Sequence, residues 1–148
     1  MKYSQYKYSF YLNASHSIYM DGKPGDRHPH TWQISIYMIN LQDEMVLFNE
    51  VEKRIETLLD KYQEKFINDY PPFTTLNPTL ENLAQYFLTE IQNILTPMNW
   101  IVYTIEISET PTRSYIISIL ENNIVEEVER KNIALEIIKA AQSKDSKK

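Results

Sequence analysis

Cysteine is absent from this 148-residue chain, which excludes disulfides, thiolate metal sites and cysteine nucleophiles. Glycine occurs only twice, which favours strands and long helices over glycine-rich phosphate loops. Positive charge is in deficit: the net charge of -5 argues against a broad nucleic-acid surface, which needs a basic face. No apolar run approaches the length that spans a bilayer. The polar and aromatic start Met1-Lys2-Tyr3-Ser4-Gln5 is unlike a secretory signal. A cytoplasmic protein with neither nucleic-acid nor membrane partners is the expectation.

What is present suffices for a core. Hydrophobic residues make up 43% and charged residues 24%, in a chain of one-domain length with eleven tyrosines. Residues 3–15 alternate, with Tyr6, Tyr8, Phe10, Leu12 and Ala14 on one parity, as in a strand with one buried face. Gly22, Pro24, Gly25 and Pro29 mark a loop over 21–29. Trp32, Ile34, Ile36 and Met38 begin a second alternating run, which predicts an antiparallel pair of strands. The period then becomes helical: Val51, Ile55, Leu58, Leu59, Tyr62 and Phe66 predict a helix that Asn68-Asp69-Tyr70-Pro71-Pro72 ends. A second helix starts in Asn77-Pro78-Thr79-Leu80-Glu81-Asn82, with Asn77 or Thr79 as cap, Pro78 in the first turn and Glu81 complementing the dipole. Leu80, Leu83, Ala84, Phe87, Ile91 and Leu95 form its stripe. Strands at about 100–108 and 114–120 and a charged amphipathic helix over 123–142 complete the order. Helices grouped between two strand pairs predict an α+β fold with an antiparallel sheet and helices on one face.

The chain has three histidines. His16 closes the first strand, and His28 and His30 open the second. Residues i and i+2 of an extended segment point to the same side, so His28 and His30 can reach one point, and a paired first strand brings His16 alongside. Three neutral imidazoles suit zinc and leave a fourth position for water or substrate, the pattern of catalytic sites. Nickel, copper or iron suits the same set. Exposed loop histidines are the competing reading.

From about Tyr8 to Tyr115 the chain resembles the 6-pyruvoyl/6-carboxy-tetrahydropterin synthase family. Leu12-Asn13-Ala14-Ser15-His16 matches the strand end that supplies one zinc ligand there, and His28-Pro29-His30 matches a His-Gly-His pair with proline for glycine. Pro78-Thr79-Leu80-Glu81-Asn82 and Glu109-Thr110 match two further motifs. The resemblance implies a T-fold over 1–122: a four-stranded antiparallel sheet with two helices on one face, followed by a C-terminal helical extension and tail over 123–148. It implies zinc on His16, His28 and His30, and a pterin-like ligand whose amino group and ring N–H are accepted by Glu109, with Thr110 beside it. It implies trimers or hexamers whose sheets join into a barrel, with a ligand site at a subunit junction, so that Glu109 can come from a different chain than the histidines.

The family's catalytic groups are replaced. No cysteine precedes His28; the nearest acid on that loop is Asp26. Where the family carries an Asp-His pair, this chain has Gln63 and Glu64, so the usual proton relay has no imidazole. Asp26 and Glu64 are the candidate acids for moving a proton. Arg113, Lys23 and Arg27 are candidate phosphate contacts, each competing with a plain surface role. The resulting expectation is a divergent zinc-dependent lyase acting on a dihydroneopterin-type substrate. The alternatives are an inactive zinc- and pterin-binding sensor or accessory protein, and a structural oligomer that recruits a partner through its last helix.

Overall fold

Alternation in the first run becomes β1, Tyr6–His16, in which Tyr8, Phe10, Leu12, Ala14 and His16 are all buried. In the computed structural model, residues 4–41, 45–119 and 136–143 are described. A two-residue turn, Asp21-Gly22, joins β2, Tyr19–Met20, to β3, Lys23–Pro24. Both turn residues have positive φ, 53° and 75°, the backbone that a tight hairpin needs and that Asp-Gly supplies readily. The second glycine serves closeness: a Cβ on Gly25 would lie 2.9 Å from the Ile18 carbonyl oxygen, to which the Gly25 N–H donates. The expected loop over 21–29 thus contains a small hairpin.

β4, His28–Asn40, pairs antiparallel with the whole of β1, from Tyr6 opposite Met38 to His16 opposite His28. β5, Trp100–Thr110, and β6, Arg113–Ser118, complete a four-stranded sheet of order β1-β4-β5-β6. One sheet face carries Leu12, Trp32, Ile34, Ile36, Val102, Ile105 and Ile107, each at most 1% exposed. Against it pack α1, Phe48–Leu59, through Val51, Ile55, Leu58 and Leu59, and α2, Leu80–Leu95, through Leu83, Ala84, Phe87 and Ile91. The architecture is the α+β sheet-and-helix layer expected.

Several boundaries differ. α1 stops at Leu59 rather than running to Phe66, and the chain turns through Glu64, whose φ is +59°. The segment then lies beside β1: the Glu64 N–H donates to the Asn13 carbonyl at 2.6 Å, and the Ser15 N–H to the Lys65 carbonyl at 2.9 Å. Thr79 caps α2, accepting from the Asn82 N–H at 3.2 Å, and Pro78 precedes that cap. Residues 5–118 form one compact unit, and a helical stretch at 136–143 belongs to a second. The earlier part of the expected 123–142 helix lies outside the described residues.

Amide side chains that imitate a strand line the outer edge of β1 and the chain just beyond it, from Tyr11 to Tyr19. Gln63 accepts from the Asn13 N–H at 2.9 Å and donates to the Tyr11 carbonyl at 2.8 Å. Asn68 makes the same two-bond clamp on Ser17, and Asn77 on Tyr19. Each clamp satisfies backbone groups that a sheet edge leaves open. Gln63→Ala should therefore lower unfolding free energy by about 1–2 kcal/mol and speed hydrogen exchange at the Asn13 amide. Urea titration and exchange mass spectrometry check both, and unchanged exchange at Asn13 would remove the clamp from the account.

Candidate metal centre

The β1–β4 register sets His16 opposite His28 and Ala14 opposite His30. All three imidazoles therefore leave the sheet on the helix-covered face, where one ligand atom from each lies within 4.8 Å of the others. His16 is completely buried, while His28 and His30 are partly exposed. Trp32 forms the floor, its indole edge-to-face with His16 and His30 at centroid distances of 4.9 and 5.1 Å.

Hydrogen bonds decide which nitrogens face inward. His16 Nδ1 lies 2.8 Å from the Pro78 carbonyl oxygen, and His28 Nδ1 lies 3.0 Å from the Asp26 carbonyl oxygen. A carbonyl only accepts, so both Nδ1 atoms carry the proton and both Nε2 atoms carry the lone pair. Those two Nε2 atoms lie 2.8 Å apart. With neutral rings no proton stands between them, and two lone pairs at that distance repel. A cation between them removes the repulsion, and carbonyl-anchored imidazoles are the usual support of a metal ligand. Two histidines in this state, with His30 beside them, fit a metal ion, and the three could hold one.

Glu109, at the end of β5, enters from the third strand. Its Oε1 lies 3.5 Å from His16 Nε2 and 3.4 Å from His30 Nε2, and Arg113 donates to its Oε2 at 2.8 Å. Glu109 and the histidines thus meet within one chain, although the resemblance allowed them to come from two. Thr110 turns to Thr112, with hydroxyls 3.2 Å apart, and Arg113 is occupied by Glu109.

On the opposite face of β1 and β4, where Asn13, Ser15, Pro29 and Thr31 project, a cavity of about 500 Å³ opens, with His30 at its margin. Arg27, Thr31, Glu64 and Lys65 line it, as does Ser15. Arg27 lies 4.4 Å over the Phe66 ring and donates to the Ser15 hydroxyl at 3.0 Å. Glu64 is held at this rim by the left-handed turn, not on a helix as its spacing predicts. Asp26 touches the site through its backbone carbonyl, and Lys23 lies on the β2–β3 hairpin. Lys65 and the carbonyl anchors Pro78 and Asp26 were not identified from sequence. A backbone carbonyl leaves no residue-type signal, and Lys65 becomes relevant only because its segment runs along β1.

The sequence profile of the 6-pyruvoyl tetrahydropterin synthase family matches residues 5–119. The chain belongs to this family. Its fold is similar to that of Caenorhabditis elegans 6-pyruvoyl tetrahydropterin synthase, at 18% identity, TM-score 0.65, and coverage of 78% of this chain and 94% of that one. An uncharacterized protein from Wolinella succinogenes is similar at 15% identity and TM-score 0.61, covering 78% and 97%. A Plasmodium vivax 6-pyruvoyltetrahydropterin synthase, described as a catalytic-residue mutant with a glutamate changed to alanine, is similar at 14% identity and TM-score 0.57, covering 77% and 97%. No curated protein sequence matches the chain. These three structures share the T-fold of sheet and helices seen here. Among the described residues no helix is long and apolar enough to cross a membrane.

Burial sets the pH behaviour of the histidine cluster in this chain. Loss of water is the largest influence on His16 and on His30, and it pushes both below the ordinary 6.5. The unfolded chain therefore takes up these protons at higher pH than the folded chain, so stability is lost as pH falls below about 6.5. Metal-free protein should melt at lower temperature at pH 5.5 than at pH 7.5, and His16→Asn should flatten that slope. Equal slopes in the two proteins, measured by calorimetry, would contradict this assignment.

Proposed function

We propose that this chain is a zinc-dependent lyase of the 6-pyruvoyl/6-carboxy-tetrahydropterin synthase type, acting on a dihydroneopterin-type substrate. The observation that carries the reading is the pair of inward lone pairs on His16 and His28, 2.8 Å apart, with a ligand atom of His30 close to both. Bound zinc would act as a Lewis acid toward a side-chain oxygen of the substrate. The chain supplies the rest. Glu64, at the cavity rim, stands where the family carries its relay histidine and is the group we assign to taking up and returning the proton. Asp26 is the second acid within reach of the loop, and its carbonyl already holds His28. A carboxylate in this role agrees with the glutamate named as a catalytic residue in the Plasmodium vivax relative.

Arg27 and Lys65 give the cavity positive charge for a phosphorylated side chain. Glu109 accepts the ring N–H and amino group of a pterin, with Thr110 beside it and Arg113 behind its carboxylate. The sheet ends in two outer strands, β1 and β6, and β1 is covered only from Tyr11 onward by the clamps described above. Joining these edges between copies gives the trimer or hexamer of the family reading and removes exposed strand edges. A pterin-binding protein without turnover is the second reading, favoured by Gln63, whose amide is committed to the β1 backbone where the family carries the acid of its relay.

Elemental analysis of tag-free protein should find about one zinc per chain, lost in His28→Ala. Glu64→Gln should keep the metal and lower turnover of a dihydroneopterin triphosphate by about 10²–10⁴-fold. Metal-loaded wild type that binds the pterin without converting it would move the assignment to the binding reading.

A further inference from the structure

Glu109 is too far from the histidines to be hydrogen-bonded and is placed well for something else. Its Oε1 sits 3.5 Å from His16 Nε2 and 3.4 Å from His30 Nε2, beyond the usual N–H···O range. Two ligand atoms on one tetrahedral ion, each bonded at about 2.0–2.1 Å, stand roughly 3.3 Å apart. The Glu109 separations match that edge length. Its side chain is 10% exposed, so the carboxylate is largely withdrawn from water. Its other oxygen is engaged at 2.8 Å by Arg113, whose own side chain is 62% exposed. Oε1 is thereby aimed at the cluster while Oε2 is tied outward.

We propose that Glu109 is a fourth, displaceable ligand that closes the metal in the resting protein, with Arg113 as the latch that holds it there. This rests on the metal reading of the three histidines. A closed set of three imidazoles and one carboxylate leaves the ion no vacant position, so weak monodentate ligands are kept off. A substrate gains the position only by bringing an oxygen donor that outcompetes Glu109. The carboxylate it displaces stays on Arg113 and is free to accept donors from that same substrate. Glu109 would thus couple recognition of the ligand to opening of the ion.

Full-length protein loaded with Co²⁺ tests this without an activity assay. Its visible absorption reports coordination, and azide is the probe for an open position. Wild type should take up azide weakly. Glu109→Gln, which keeps the shape but replaces a charged ligand with a poor one, should bind azide at least tenfold more tightly and lose at least tenfold in Co²⁺ affinity in a chelator competition. Arg113→Met, at an exposed position, should fall between them and carries the test should Glu109→Gln fail to fold by circular dichroism. Equal azide binding and equal spectra in all three proteins would overturn the role of Glu109 while leaving the metal site standing. Absence of Co²⁺ binding in wild type would overturn both.

Discussion

The antiparallel register of β1 on β4 is the constraint on which the site depends. It sets His16 against His28 and Ala14 against His30, so that three imidazoles share the face that the helices cover. A slip by one residue would send β1's alternating set to the other face, taking His16 from the cluster and Leu12 from the core together. Packing and chemistry therefore guard the same register: the buried row Phe10, Leu12, Ala14 enforces it, and His16 completes that row.

Around this register the structure spends side-chain amides on backbone. Gln63, Asn68 and Asn77 each grip one stretch of the chain from Tyr11 to Tyr19 with a donor and an acceptor. Together with the 64–66 segment they hold the end of β1 that carries His16. Gln63 is thus recruited into support of the strand bearing His16. The same turn that follows it carries Glu64 to the cavity rim in a left-handed conformation, which costs a non-glycine residue free energy and persists where neighbours enforce it.

The electrostatics of the cluster follow from burial and from two carbonyls. Pro78, just ahead of α2, and Asp26, in the loop before β4, each fix one imidazole with its lone pair inward. Loss of water holds His16 and His30 below their ordinary pKa, which keeps the donors neutral and competent toward a cation. Arg113 pulls Glu109 from the other side, so a carboxylate faces the same point from the end of β5.

Much of this was legible in the sequence because it rests on periodicity. Alternation located β1, β4 and their shared face, the 3.6-residue stripe located both helices, and the parity of His28 and His30 put them together. The end of α1 was not legible: Tyr62 and Phe66 continue the helical spacing, and the reason they leave it is the backbone of β1, distant in sequence. Nor was the Asp21-Gly22 hairpin identified, although that dipeptide carries the signal. Residue types and spacing by themselves determined the sheet, the helices and the candidate ligands, since those follow from local geometry and burial. The inward lone pairs, the approach of Glu109 and the lining of the cavity were decided only by tertiary structure, because each depends on a carbonyl, a turn or a strand end brought from elsewhere in the chain.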